Sequence, residues 1–105
     1  MIVKDGTTIL GLHPKMQIAN CKVAVIYAKH GYKFRLTAGI DLFGHMKGSL
    51  HPRGRACDWG VQGLDIIQAK DLRDEIDAAL GPDFDVLLED DHIHGEYDPD
   101  NPKVI

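Results

Sequence analysis

The stretch Ser49-Leu50-His51-Pro52-Arg53-Gly54-Arg55-Ala56-Cys57-Asp58, answered far downstream by Asp91-His92-Ile93-His94, decides how this chain is read. Ala56-Cys57-Asp58-Trp59-Gly60-Val61 has the composition of a short strand. Side chains alternate along a strand, so Asp58 faces opposite to Cys57 and Trp59, and if Asp58 faces a site, Cys57 faces the core. In a second strand, His92 and His94 project to one face while Ile93 packs behind them. These imidazoles and carboxylates are the inventory of a mononuclear zinc site. A hydrolytic zinc ion needs three nitrogen or oxygen ligands and one position left to water, which His51, Asp58 and one histidine of the pair would fill. The remaining acid would serve the water.

Outward from that nucleus, Met16, Ala19, Val23, Ile26 and Tyr27 recur at three and four between Pro14 and His30, which predicts a helix. Pro14 suits its first turn and Gly31 its end. Phe34-Arg35-Leu36-Thr37-Ala38 alternates like a strand, and Gly39, Gly44, Gly48, Pro52 and Gly54 then punctuate a long connection. A loop of that length in a small domain usually carries function. A second helix is expected from Ile66 or Gln68 to Leu80, with Ala69, Leu72, Ile76 and Ala79 on one face and Gly81-Pro82 closing it. Its charged residues, Lys70, Asp71, Arg73, Asp74, Glu75 and Asp77, read as a solvated face. Phe84–Leu88 and His92–Tyr97 form an expected antiparallel pair through the acidic turn Glu89-Asp90-Asp91, and the tail after Asp98 is expected to wrap or fray. The predicted architecture is α+β, a small antiparallel sheet with two main helices packed on it, in one domain spanning residues 1–105.

The chain of 105 residues is 44% hydrophobic and 27% charged, enough for one core and no second lobe. Its formal charge of -4 is uneven: Asp85, Glu89, Asp90, Asp91, Glu96, Asp98 and Asp100 crowd the C-terminal part, with no Lys or Arg between Arg73 and Lys103. Nucleic acid is not an expected partner, because phosphate binding needs a basic face. Cys21 and Cys57, without a CxxC, read as reduced packing residues. No export signal begins the sequence and no run of ~18 apolar residues occurs, so a cytoplasmic monomer without a membrane partner is the expectation. His13, His30 and His45 are assigned no ligand role.

Ser49-x-His51-x-x-Gly54-x-Ala56-x-Asp58 followed by Asp91-x-x-His94 resembles the signature of zinc DD-peptidases and phage endolysins, the M15 metallopeptidases, whose fold is shared by the hedgehog signalling domain. The resemblance covers most of the chain, from Leu12-His13-Pro14 to the final HxH strand. It implies Zn2+ held by His51, Asp58 and His94, with Asp91 as general base and His92 hydrogen-bonding the oxyanion. It implies a zinc-dependent peptidase acting on peptidoglycan stem peptides, an L-alanyl-D-glutamate endopeptidase or a DD-carboxypeptidase of phage type. Ser49, two residues before His51, would share its face if that piece is extended, and would support the bound substrate. In a regular strand Asp91 would point away from His92 and His94, so its role needs a bend immediately before the strand; otherwise Glu89 or Asp90 is better placed. Many relatives carry Ser-Gly-x-Arg after the first strand, where this chain has Ala38-Gly39-Ile40-Asp41. Arg53, Arg55 or Arg35 would then have to supply the positive group. The alternative is a non-catalytic zinc-binding module of the same fold.

Overall fold

The computed structural model describes residues 2–3, 12–38 and 55–99. After the short strand β1 (Ile2–Val3) comes helix α1 (Pro14–Lys29). Pro14 sits at the start of α1, where no backbone N–H is required, and His13 caps it by accepting at Nδ1 from the Lys15 N–H at 3.1 Å. The helix stops at His30 because Gly31 turns left-handed, at φ +73°. Strands β2 (Arg35–Ala38) and β3 (Ala56–Gly60) precede helix α2 (Ile66–Leu80). A reciprocal cap opens α2: the Asp65 carboxylate accepts from the Gln68 N–H at 2.8 Å and the Gln68 amide oxygen accepts from the Asp65 N–H at 3.0 Å. Strands β4 (Phe84–Leu88) and β5 (His92–Tyr97) follow as a hairpin.

The strands form one sheet in the order β1-β2-β3-β5-β4. All neighbours from β2 onward are antiparallel, as expected, while β1 adds a parallel edge pairing to β2 that composition did not predict. Because β5 lies between β3 and β4, those two run parallel, and α2 is the crossover that such a pair requires. The register places Asp58 opposite His94, Trp59 opposite Ile93 and Gly60 opposite His92. On the other side of β5, Leu87 stands opposite His94 and Asp85 opposite Glu96. One face of the sheet therefore carries Cys57, Trp59, Phe84, Val86 and Ile93, which are buried with Met16, Val23, Tyr27, Leu72 and Ile76 of the helices. The opposite face carries Asp58, His92, His94 and Glu96. The coarse architecture, two helices on a mainly antiparallel sheet, is the expected one.

Polar contacts inside the core tie α1 to β3. Trp59 is fully buried, and its Nε1–H donates to Asn20 Oδ1 at 2.8 Å, while Asn20 Nδ2–H donates to Cys57 Sγ at 3.6 Å. The Tyr27 hydroxyl donates to the Gly60 carbonyl at 2.8 Å. Asn20 thus satisfies an indole N–H that burial would otherwise orphan, a loss of about 1–3 kcal/mol. Burial lifts the Cys57 thiol to about 12, with neighbouring Asp58 adding to the rise and the Asn20 hydrogen bond opposing it. Cys57 is the packing residue that the sequence implies, but Cys21 is exposed. The face of α2 also differs by one position: Leu80, not Ala79, joins Ala69, Leu72 and Ile76 in the core. Nor is the charged side of α2 only solvated, since Glu75 accepts from Lys29 Nζ at 2.8 Å and Arg73 Nε donates to the Val86 carbonyl at 3.0 Å. Among the described residues no helix is long and apolar enough to cross a membrane.

Gly95 lies on the core face, opposite Cys57, and a Cβ there would overlap the Trp59 indole ring. Gly95→Ala is therefore expected to destabilise the fold by about 1–3 kcal/mol, the usual cost of overpacking a core. Urea denaturation would read this as a lowered midpoint at unchanged slope; an unchanged midpoint would show that the indole moves aside freely.

Candidate metal centre

Adjacent strands bring together residues far apart in sequence. Asp58 of β3 and His94 of β5 are direct cross-strand partners, and His94 Nδ1 lies 2.7 Å from Asp58 Oδ1. His92, two residues earlier on the same face, places Nε2 3.7 Å from that same oxygen. Each of the three offers a ligand atom, and these atoms lie within 4.8 Å of one another. Asp58 is buried and both histidines are partly so, which screens the cluster from bulk water without sealing it.

A tetrahedral zinc ion with bonds of ~2.0–2.2 Å sets its ligand atoms about 3.3 Å apart. Asp58 Oδ1 and His94 Nδ1, 2.7 Å apart across a shared proton, would open by about 0.6 Å to reach that edge, and an imidazole with a carboxylate suits the ion. The residues present therefore fit zinc. His51, the further ligand that the resemblance implies, lies outside the described residues, as do Ser49 and Arg53.

The electrostatics follow from the same contacts. His94 Nε2 lies 2.7 Å from Glu96 Oε1, so the ring is held between two carboxylates. Burial, the largest single influence, opposes its charge, yet hydrogen bonds to Asp58 and Glu96 prevail and lift its pKa to about 9. A metal at Nδ1 would displace that proton and leave Nε2–H donating to Glu96, the arrangement in which a carboxylate orients a ligating imidazole. Glu96 was missed by the sequence reading, which counted it only among the acids of the C-terminal part. The signal available was its i+2 spacing from His94, which puts both on one face of a strand.

The bend required of Asp91 is present: the chain turns at Asp90-Asp91 and β5 begins at His92. The Glu89 N–H donates to the His92 carbonyl at 2.8 Å and closes this turn. Asp91 meets the cluster only through His92: its Oδ1 lies 2.6 Å from Nδ1, the ring nitrogen remote from Asp58, and its side chain is 85% exposed. The hydrogen bond from His92, aided by that ring's charge, holds the Asp91 carboxyl below its ordinary range. It is thus ionised and accessible, as an acceptor of protons from solvent or substrate must be. His13 and His30 take no part: His13 caps α1, and His30 Nε2 meets Glu75 at 2.6 Å. His45 lies outside the described residues.

In the metal-free protein, a His94 pKa raised above its unfolded value of ~6.5 stabilises the fold fully below pH ~6.5, and the contribution fades as pH rises through about 9. Denaturation midpoints measured with chelator are expected to fall over that window in the wild type and to flatten in His94→Gln. For Glu96, Glu96→Ala is expected to weaken zinc binding about 10–100-fold, the range typical of lost outer partners, while Glu96→Gln, which keeps an acceptor, retains most of it. Competition against a chromophoric chelator measures both; equal losses would mean that Glu96 contributes charge rather than orientation. No protein-family model matches this chain and no curated protein does.

Proposed function

We propose that this protein is a zinc-dependent peptidase that hydrolyses peptide bonds of peptidoglycan stem peptides, as a phage-type endolysin would. The observation that carries the reading is the convergence of Asp58, His92 and His94 on one face of the sheet, with ionised Asp91 hydrogen-bonded to His92 at its edge. The Ser49-x-His51-x-x-Gly54-x-Ala56-x-Asp58 motif, which resembles that of M15 metallopeptidases, supports the substrate class.

In this reading His51, Asp58 and His94 hold the ion. Zinc, when bound, polarises the substrate carbonyl and lowers the pKa of water. Asp91 accepts the proton of the attacking water on its exposed carboxylate and passes it to the departing amine. His92, with Nδ1 tied to Asp91, keeps Nε2 on the metal side, where a ring protonated at both nitrogens would donate to the carbonyl oxygen as negative charge builds. With zinc on Nδ1, the Glu96 carboxylate would still hold His94 at Nε2, so the ring turns little during the reaction. Ser49 and Arg53 are proposed as substrate contacts on the motif alone.

A second reading, a non-catalytic zinc module, draws on Ala38-Gly39-Ile40-Asp41, which lacks the arginine that the resemblance leads one to expect. Digestion of purified peptidoglycan separates the two. The as-isolated protein is expected to create new peptide termini, identified by mass spectrometry, that vanish with chelator and return with zinc. Asp91→Asn is expected to keep zinc and lose about 10²–10⁴-fold in rate. Zinc binding without cleavage favours the module, and cleavage that survives Asp91→Asn removes Asp91 from the base role.

A further inference from the structure

The face that carries the candidate centre is electrostatically lopsided. Toward the C-terminal end of β5, Asp85, Glu96 and Asp98 bring ligand atoms within 4.8 Å of one another. At the opposite end, beside His92, the chemistry reverses. Gly60 of β3 stands directly opposite His92 in the register. A Cβ at Gly60 would lie 3.3 Å from Thr37 Cγ2 and 3.5 Å from Arg35 Cβ, so the glycine leaves room for the stem of Arg35 to cross there. Arg35 therefore shares the face of His92, separated from it by β3. A cavity of about 200 Å³ opens at this place, lined by Lys33, Arg35, Gly60 and Gln62.

Among the described residues that line it, two are cations and none is an acid, in a chain of net charge -4. Among the described residues neither Lys33 nor Arg35 makes an ion pair, whereas Lys29 of α1 and Arg73 of α2 both do. Arg35 Nη1 donates to Gln62 Oε1 at 2.6 Å, which holds the guanidinium in place. Its Nε is buried and makes no hydrogen bond among the described residues. The outer N–H groups of the guanidinium match a carboxylate in geometry and charge.

We propose that Lys33 and Arg35 form a subsite for a carboxylate of the bound peptide, next to the His92 end of the metal centre. The subsite selects acidic peptides over their amidated counterparts. Only the assignment of that carboxylate to a substrate rests on the peptidase reading.

The test uses the as-isolated protein and an N-acetylated L-alanyl-D-glutamyl peptide, alongside the same peptide with every carboxylate amidated. The backbone N–H signals of Gly60 and Gln62 report binding by NMR, and KM reports it during turnover. The wild type is expected to prefer the acidic peptide by about tenfold or more. Arg35→Gln and Lys33→Gln are expected to bring the two peptides to near parity, with zinc content and affinity for the amidated peptide unchanged. Lys33 is exposed, so its variant tests the subsite even if the Arg35 variant folds poorly. Equal affinity of the wild type for both peptides, or an equal loss for both in the variants, overturns the proposal. If neither peptide is cleaved but the acidic one still shifts Gly60 and Gln62 in the wild type alone, the subsite stands and the peptidase reading falls.

Discussion

The pairing of β3 with β5 is the constraint from which the rest follows. With Asp58 opposite His94 and Trp59 opposite Ile93, the alternation of the two strands sorts their residues into a core set and a site set at once. A slip of one residue would turn Trp59 into solvent and Asp58 into the core, so the hydrophobic effect that buries the indole also holds the carboxylate against the imidazole. Gly95 makes the register specific: it is where the Trp59 ring lies, and only a residue without a side chain fits beneath it. Asn20 completes the lock from α1 by accepting the indole N–H.

The electrostatics of the open face grow out of that register. A carboxylate and two histidines on adjacent strands could have been a surface ion-pair network, but Asp58 is buried and meets both rings through one oxygen. Glu96 then grips the far nitrogen of His94, and Asp91 grips the far nitrogen of His92. Each ring is thus oriented by a carboxylate on the side away from Asp58, an arrangement suited to presenting nitrogens toward a cation. The acid-rich and cation-lined ends of the same face give it a charge polarity.

Much of this was legible in the chain. The three-and-four spacing from Met16 to Tyr27 marks the buried face of α1, Pro14 and Gly31 mark its ends, and alternation separates Asp58 from Cys57 and Trp59. The acidic turn before the last strand is also marked by its composition, and the chain bends at Asp90-Asp91. Less legible were contacts between residues whose own segments say nothing of them. Asn20 looks like an ordinary polar position in a helix until Trp59 arrives above it, and β1 is too short to register as a strand. Ala79 and Leu80 compete for the last buried turn of α2, and the larger apolar surface wins.

By itself the sequence determined the inventory and its periodicities: which residues can ligate, which face of each element is apolar, and where the helices begin and end. Local chemistry suffices for these because caps, turn glycines and side-chain alternation act within a few residues. Only the tertiary structure decided the partnerships. That Asp58 meets His94, that Glu96 rather than another acid holds the outer nitrogen, and that Arg35 comes to lie on the same face as His92 all depend on strand order. Strand order is set by how the crossover helix returns the chain to the sheet, a long-range choice governed by total core burial and invisible to any short window of residues.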